Sequence, residues 1–419
     1  MAEQASITLY GAYWCPDCKR SKQFLGEHQI PYNWIDIEQD KTGEAYVIKK
    51  NNGKRIIPTI VFADGSFLVE PSNAELASKI GLKTTAERSH YELVIIGGGP
   101  AGLTAALYTA REGIDTLVIE RAATGGQAAA TLWLDNVPGF ADGIDGNTFA
   151  QQLTRQAQRF EVEFLQAQEV VSVDTQGNYH RATTSDGSVY TSRVLLVATG
   201  STYRRLGAPG EADFIGAGVH FCATCDGPFY KGEHVVVIGG GNSATEESLF
   251  LLKFVDRVTM LVRGATLKAS QILQDKVLGN PRIDIRYHTE AIAFHGKGGK
   301  LSSITVKSTQ TGEAEEMRPA AVFVFIGLTP NSALLESRGV RTDRWGFIAT
   351  GHGLAHEGGR PQGFGKRSPY PLETSMPGIF AAGDVRAGST KQVASAAGEG
   401  AAAALLIREY LECGLCQND

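Results

Sequence analysis

The alternation of apolar and polar positions in the first part of the chain predicts a small α/β domain. Apolar and β-branched runs favour strands, and apolar residues at helical spacing favour the helices between them. An Asp-Gly pair at 64–65 marks a turn between the last two strands. We predict strands at 6–10, 32–37, 59–63 and 67–70, and helices at 16–29, 41–51 and 72–80.

Further along, one pattern occurs twice: an apolar strand, a glycine-rich turn and a helix. Residues 91–96 lead into Gly97 and a helix at 103–112, and residues 235–238 lead into Gly239. Such units bind dinucleotides, because the tight turn brings backbone amides at the helix start to the pyrophosphate. The predicted fold class is therefore α/β, with two Rossmann-like domains after the small domain.

Composition places the chain among ordinary globular proteins. The 419 residues are enough for about three domains. Of these residues, 42% are hydrophobic and 20% are charged, which is usual for a globular protein. A net charge of -5 does not favour nucleic acid or an anionic membrane as partner. The first residues lack the basic and apolar regions of a signal peptide, and the apolar runs are too short for a membrane helix. We expect a cytoplasmic protein.

The cysteines give the first sign of chemistry. All six occur as C-x-x-C pairs. In a cytoplasmic chain this spacing indicates catalytic redox or metal binding rather than structural disulfides. A zinc or iron–sulfur site is the alternative, but one pair supplies only two ligands, and we expect no metal. The pairs are Cys15/Cys18, Cys222/Cys225 and Cys413/Cys416.

The first pair lies at the start of a predicted helix, with Pro16 at the favoured first helical position. Free amides and the helix dipole stabilise a thiolate there, so Cys15 is the predicted nucleophile. Cys18, one turn on, resolves the mixed disulfide. Trp14-Cys15-Pro16-Asp17-Cys18, Ile57-Pro58-Thr59 and Pro71-Ser72 resemble the glutaredoxin branch of the thioredoxin fold, and the mycoredoxins most. The resemblance implies a cis-proline at Pro58.

The first glycine-rich turn is followed by a strand at 116–119 that ends in Glu120, where a carboxylate holds ribose hydroxyls. Later motifs at 125–127, 135–139, 198–200 and 378–385 resemble the low-molecular-weight thioredoxin reductases, which implies FAD. By that resemblance, Gln127 and Asn136 lie near the flavin ring and Asp384 binds the ribityl chain. The candidate FAD residues are Gly97, Gly99, Pro100, Ala101, Gly102, Glu120, Gly126, Gln127, Asn136, Thr199, Gly200, Asp384, Gln392 and Val393.

In the second glycine-rich unit, Val262 occupies the position that Glu120 has in the first. No carboxylate is there to repel a 2′-phosphate, and Arg263 offers a cation. This favours NADPH over NADH, although the strictness of the preference stays open, because the family usually carries more arginines here. The candidate nicotinamide-nucleotide residues are Gly239, Gly241, Asn242, Ser243, Ala244, Arg263 and Lys268.

The second cysteine pair precedes this unit and reads Cys-Ala-Thr-Cys-Asp, as in the thioredoxin reductases. The resemblance implies that Cys225 faces the flavin, Cys222 attacks the client disulfide and Asp226 donates and accepts the proton. Nicotinamide and dithiol then belong to one domain and must both reach the flavin. We therefore expect this domain to swivel on segments near 207–210 and 327–331.

Together these features predict a disulfide reductase that passes electrons from NADPH through FAD and Cys222/Cys225 to Cys15/Cys18. The client is a protein disulfide, of thioredoxin-like or peroxiredoxin type, or a mycothiol or glutathione disulfide. Alternatives are a peroxiredoxin-feeding reductase with the small domain as a relay, and a metal-binding redox sensor. The family implies a homodimer, and transfer within or between subunits stays open.

The predicted organisation ends in two features of open role. Residues 351–368 are polar and glycine-rich and predict a surface insertion. The tail carries the third cysteine pair, which is either a further relay or two exposed thiols. The predicted segments are a glutaredoxin-like domain at 1–82, a linker at 83–90, the FAD domain at 91–206 and 328–412, the NADPH domain at 207–327 and the tail at 413–419.

Overall fold

The computed structural model shows two compact units. The large unit comprises Met1–Ala130, Asn147–Gly200 and Ser332–Asp419, and the insert unit comprises Thr131–Gly146 and Ser201–Asn331. The structure describes residues 7–12, 14–28, 30–131, 133–134, 136–297, 299–336, 338–356 and 360–413.

The small domain at the start of the large unit has every element that the sequence predicts, with ends that differ by at most two residues. Its four strands form a sheet in the order β2-β1-β3-β4, in which only β1 and β2 are parallel. Leu9, Phe24, Ile60 and Leu76 are buried in its core. The elements are β1 Ile7–Gly11, α1 Pro16–Glu27, β2 Tyr32–Asp36, α2 Lys41–Lys50, β3 Thr59–Phe62, β4 Phe67–Val69 and α3 Asn73–Lys79.

The next part of the large unit contains the first glycine-rich turn. Strands β7, β6, β5 and β10 are parallel neighbours, which β9 and β8 extend in antiparallel fashion. The elements are β5 His90–Ile96, α4 Pro100–Arg111, β6 Thr116–Ile119, α5 Gly126–Ala130, α6 Gly146–Gln158, β7 Glu163–Leu165, β8 Val170–Gln176, β9 Tyr179–Thr184 and β10 Val189–Val197.

The insert unit is built on a parallel sheet in the order β12-β19-β13-β14-β15. Between β15 and β19, the chain forms a three-stranded antiparallel sheet, β16-β17-β18. Strands β11 and β20 pair at the two points where the chain enters and leaves the unit. The elements are β11 Ser201–Tyr203, β12 Val219–His220, α7 Ala223–Asp226, β13 His234–Ile238, α8 Asn242–Leu251, β14 Arg257–Val262, α9 Gln271–Leu278, β15 Ile283–Tyr287, β16 Thr289–Lys297, β17 Lys300–Ser308, β18 Ala314–Met317, β19 Ala321–Val324 and β20 Leu328–Pro330.

The chain then returns to the large unit through α10 Ala333–Glu336, β21 Ile379–Ala381 and α11 Val393–Cys413. Helix α11 packs tightly on α4: a Cβ at Gly400 would lie 2.2 Å from the backbone oxygen of Ala101. No described helix is long and apolar enough to cross a lipid bilayer.

Most described residues of the segment 351–368 are exposed, as the predicted surface insertion implies, but two apolar side chains anchor it. A 3₁₀ helix forms at Gly351–Ala355, and Leu354 and Phe364 are buried. Arg367 makes a two-pronged ion pair with Glu373, whose side chain is fully buried. The polar composition of this segment therefore conceals apolar anchors, because single buried residues leave no periodic pattern.

Candidate active site

The dithiol of the small domain is held by the backbone at the start of α1. Cys15 is the N-cap residue, and its Sγ accepts a hydrogen bond from the backbone N–H of Cys18 at 3.1 Å. Both cysteines are buried and both are free thiols. Burial, and next its hydrogen bond with Cys15, raises the pKa of the Cys18 thiol. The two thiols therefore differ: a backbone N–H faces the sulfur of Cys15, whereas burial disfavours the thiolate of Cys18.

The surroundings of this dithiol are shaped by three close neighbours. The Ile57–Pro58 peptide bond is cis, as the resemblance implies, and the Cys15 thiol lies 3.9 Å from the Ile57 oxygen. A Cβ at Gly11 would lie 2.7 Å from the Cys18 Sγ, so the first strand passes directly behind the pair. Trp14 is 65% exposed next to Cys15 and offers a flat apolar surface to a client.

The first glycine-rich turn has the shape that a pyrophosphate requires. Gly97 has a φ of 107°, and a Cβ there would lie 2.4 Å from the oxygen of Ala198. Only glycine fits such a close approach. Gly99 is the N-cap of α4, and the space in front of it is open. Pro100, Ala101 and Gly102 form the first turn of α4, and an anion placed before this helix start would meet its backbone amides.

Glu120 lies directly after β6, where the sequence predicts a ribose-binding carboxylate. Its Oε2 accepts from the backbone N–H of Gly98 at 2.7 Å, and its Oε1 accepts from the N–H of Ala122 at 2.9 Å. The carboxylate is buried against the glycine-rich turn. The carboxylate thus holds the glycine-rich turn in place. It also lies at the end of β6, next to where a bound ribose would be expected.

A second part of this site lies between β21 and α11. Burial raises the pKa of the Asp384 carboxyl. A buried carboxylate calls for hydrogen-bond donors, which the hydroxyls of a sugar chain would supply. Behind it, Glu399 accepts from the N–H of Gly383 at 2.7 Å and pairs with Arg386. Gln392 and Val393 follow at the start of α11.

The structure groups most of the predicted FAD residues in the large unit. Gly126 begins α5 and is followed by Gln127, while Thr199 and Gly200 follow β10 next to the first glycine-rich turn. Asn136 belongs to the insert unit, together with the rest of Thr131–Gly146.

The second glycine-rich turn repeats the first in the insert unit. Gly239 has a φ of 142°, and a Cβ there would lie 2.3 Å from the oxygen of Phe325. Gly241 is the N-cap of α8, which continues through Asn242, Ser243 and the buried Ala244. This turn also leaves the first amides of its helix free for an anion.

The predicted phosphate-binding cations follow β14. Val262 lies against this turn, 2.9 Å from where a Cβ of Gly240 would be, as Glu120 lies against the first. The chain then folds back, because the N–H of Lys268 donates to the oxygen of Gly240 at 2.6 Å. Arg263 and Lys268 are both exposed. They thus lie at the same sheet edge as the glycine-rich turn and are free to bind an anion.

The second dithiol lies at α7, and Cys222 is disulfide-bonded. The side chain of Cys225 is outside the described part of the structure, as is Cys416. Asp226 closes α7, and its Oδ1 is 3.3 Å from Nδ1 of His220. The other ring nitrogen of His220 is 2.7 Å from the hydroxyl of Tyr230. The sequence motif indicates Asp226, but no spacing rule connects His220 and Tyr230 to it.

Within the residues described above, no cluster of three or more His, Cys, Asp or Glu side chains could hold a metal ion.

Comparison with known proteins agrees with this geometry. The family described as pyridine nucleotide-disulphide oxidoreductase matches residues 91–400. A thioredoxin reductase from Treponema pallidum is 40% identical over 322 residues, which cover 77% of this chain and 97% of that protein. The crystal structure of thioredoxin reductase from Streptococcus pyogenes aligns with a TM-score of 0.69 and 34% identity over 78% of this chain and 99% of that one. The chain belongs to the pyridine nucleotide-disulphide oxidoreductase family.

Within this family the chain is a flavin disulfide oxidoreductase of thioredoxin reductase type with an N-terminal glutaredoxin domain. The glutaredoxin family matches residues 7–68, and a second thioredoxin reductase, from Bacillus subtilis, is 36% identical over 327 residues (78% of this chain, 96% of that protein). Both predicted resemblances are confirmed. The cofactors of this type are FAD and NADPH. The two glycine-rich turns, and Asp384 buried behind the first, fit these groups.

Proposed function

We propose that this protein reduces disulfides by passing electrons from NADPH and FAD to Cys222/Cys225, then to Cys15/Cys18, and finally to a client. The observation that carries the proposal is the dithiol site of Cys15 and Cys18, which lies in the same chain as a disulfide reductase. Cys15 caps a helix, lies beside a cis-proline and has an exposed Trp14 next to it. These are the features of a site that exchanges disulfides with a partner.

The residues that hold the cofactors follow from the two glycine-rich turns. Bound FAD would supply the two-electron chemistry that links the nicotinamide of NADPH to a disulfide. The turn at Gly97 and Gly99, with Glu120 and Asp384, would hold FAD. The turn at Gly239 and Gly241 would hold NADPH, and Arg263 and Lys268 would bind its 2′-phosphate through their free positive charges.

The thiol steps are carried by the chain's own residues. Cys222 attacks the disulfide of Cys15 and Cys18, and Asp226 accepts and returns the proton that each step requires. Cys15 then attacks the client, and Cys18 releases it. Fusion of the two sites in one chain raises their effective concentration to about the mM range.

The client is a protein disulfide or a low-molecular-weight thiol disulfide, and the protein acts in the cytoplasm as a homodimer. A peroxiredoxin is one such client, in which case the small domain is the relay that feeds it. Thioredoxin-like proteins, mycothiol disulfide and glutathione disulfide are the others.

The proposal is tested with purified holoprotein and NADPH. We expect a yellow protein that bleaches when NADPH is added under anaerobic conditions and regains its colour when a disulfide client is supplied. Each client class is added in turn while NADPH oxidation is followed. A colourless protein that does not bind FAD, or a yellow one that oxidises NADPH with none of these clients, would contradict the proposal.

A further inference from the structure

A row of three polar side chains runs through the insert unit behind the dithiol. Tyr230, His220 and Asp226 come from three different elements, and His220 links the other two, 2.7 Å from the tyrosine hydroxyl and 3.3 Å from the carboxylate. The side chain of His220 is only 4% exposed, whereas that of Asp226 is 15% exposed. The buried His220 is therefore flanked by two partly exposed residues, by the hydroxyl of Tyr230 and by the carboxylate of Asp226 beside α7.

The chemistry of the three groups determines the direction of the hydrogen bonds. Burial, and next the charge of Asp226, raises the pKa of Tyr230 to about 12, so its hydroxyl keeps its proton. A neutral imidazole has one N–H and one acceptor nitrogen. If Tyr230 donates to Nε2, the proton of His220 must be on Nδ1, and it then points at Asp226. The tautomer with its proton on Nδ1 therefore suits both neighbours, the tyrosine hydroxyl and the carboxylate.

The packing around His220 keeps this arrangement in place. Its ring lies 5.3 Å from Tyr230 and 5.3 Å from the buried Phe323, measured between ring centroids. Both ring neighbours are aromatic, and both ring nitrogens are taken by Tyr230 and Asp226. The imidazole is therefore held against rotation, with its Nδ1 kept 3.3 Å from one oxygen of Asp226.

We propose that His220, oriented by Tyr230, is a positioning residue that holds Asp226 ready for proton transfer at the dithiol of Cys222. The inference rests on the proposed role of Asp226. When a cysteine thiol attacks a disulfide, its proton passes to the carboxylate, one S–S bond forms and another breaks. The proton then passes to the leaving thiolate, so the carboxylate is regenerated. His220 orients the carboxylate and takes no part in the proton transfer itself, as the orienting partner of a catalytic base does.

The test compares variants in the thiol step alone. Oxidised holoprotein is mixed rapidly with NADPH under anaerobic conditions, and the rate at which Cys15 and Cys18 become reduced is measured by quenched alkylation. We expect His220→Leu to slow this step about ten- to hundred-fold, because a misplaced carboxylate transfers protons poorly. His220→Asn should stay within about three-fold of the parent, because its amide can donate from nearly the same place as Nδ1. Tyr230→Phe should lie between the two.

His234→Asn is the matched control. This histidine of the same unit bonds Thr259 at 2.9 Å on β14, and its replacement should leave the rate unchanged. A merely structural role for His220 would not distinguish Asn from Leu. Equal rates in the parent and His220→Leu, or equal slowing in the Asn and Leu variants, would overturn the inference.

Asp226→Asn separates this inference from the function on which it rests. If Asp226→Asn is slow and His220→Leu is as fast as the parent, only the positioning role fails. If Asp226→Asn is itself as fast as the parent, the proposed role of the carboxylate fails, and the role of His220 fails with it. If the melting temperature shows that His220→Leu is unfolded, the difference in rate between His220→Asn and Tyr230→Phe tests the positioning role instead.

Discussion

The two dithiol sites of this chain do related chemistry with different means. At Cys15 the polar contact of the sulfur comes from the backbone. The sulfur caps a twelve-residue helix and accepts a hydrogen bond from the N–H of Cys18. At Cys222 the helix has only four residues, and the neighbouring chemistry comes from side chains: Asp226, His220 and Tyr230.

The difference indicates two kinds of task. A thiolate stabilised by backbone amides needs no proton carrier and can meet clients of many shapes. A dithiol that must be reduced and oxidised again within the protein gains from a carboxylate that takes and returns protons. Under the proposed function, Cys15/Cys18 would be the outlet to clients and Cys222/Cys225 the internal site.

The largest expected effect comes from removing the outlet. Cys15→Ser should abolish reduction of the natural client, a loss of more than about 100-fold, because no other group replaces the attacking sulfur. NADPH-dependent reduction of a dye by the flavin should persist. Client reduction at the parent rate in this variant would show that the small domain is not the outlet.

Asp226→Asn should affect only the internal site. We expect the reduction of the small domain by NADPH to fall about 100-fold, because a proton carrier is lost at that step. If the small domain is first reduced chemically, it should still reduce the client at the parent rate. Stopped-flow measurement of the two steps checks this contrast, and equal slowing of both would remove the distinction between the two sites.

Alkylation should reveal the asymmetry within the outlet. The raised pKa of Cys18 keeps its thiolate scarce, and the thiolate would become common only as the pH approaches that raised value. Between about pH 7 and pH 9, iodoacetamide should therefore modify Cys15 at least about ten-fold faster than Cys18. Mass spectrometry of the reduced protein gives the ratio. Equal labelling would contradict the assignment of Cys15 as the nucleophile.

The smallest effect is expected at Asp17, the acid that lies between the cysteines of the outlet. Its carboxylate pairs with Arg20 at the exposed surface rather than with a thiol. Asp17→Asn should change client reduction by less than about two-fold, as is usual for an exposed ion pair. A loss as large as that of Asp226→Asn would mean that both dithiols depend on a carboxylate.

The sequence predicted the parts of this molecule that follow local rules. The strand and helix periods predicted the small domain. The two glycine-rich turns predicted two nucleotide sites, with Glu120 in one and Val262 in the other. The structure places both of these residues against their turns, as the repeat implies.

The parts that escaped prediction depend on contacts between distant or irregular segments. His220 and Tyr230 come from a strand of two residues and a 3₁₀ turn, and only folding brings them to Asp226. The buried Leu354 and Phe364 are single apolar residues in a polar segment, so no hydrophobic periodicity in the sequence indicates them. Hydrogen-bonded rows and isolated anchors carry no repeating signal in a sequence.

The central claim is that electrons reach Cys15 and Cys18 only through Cys222 and Cys225. The most direct test uses holoprotein in a Cys413→Ser, Cys416→Ser background, oxidised and then mixed anaerobically with NADPH. Free thiols are trapped by alkylation and located by mass spectrometry. The account predicts that Cys15 and Cys18 become labelled, and that they stay oxidised when Cys222→Ser is added. Labelling of Cys15 and Cys18 in the Cys222→Ser protein at the parent rate would contradict it.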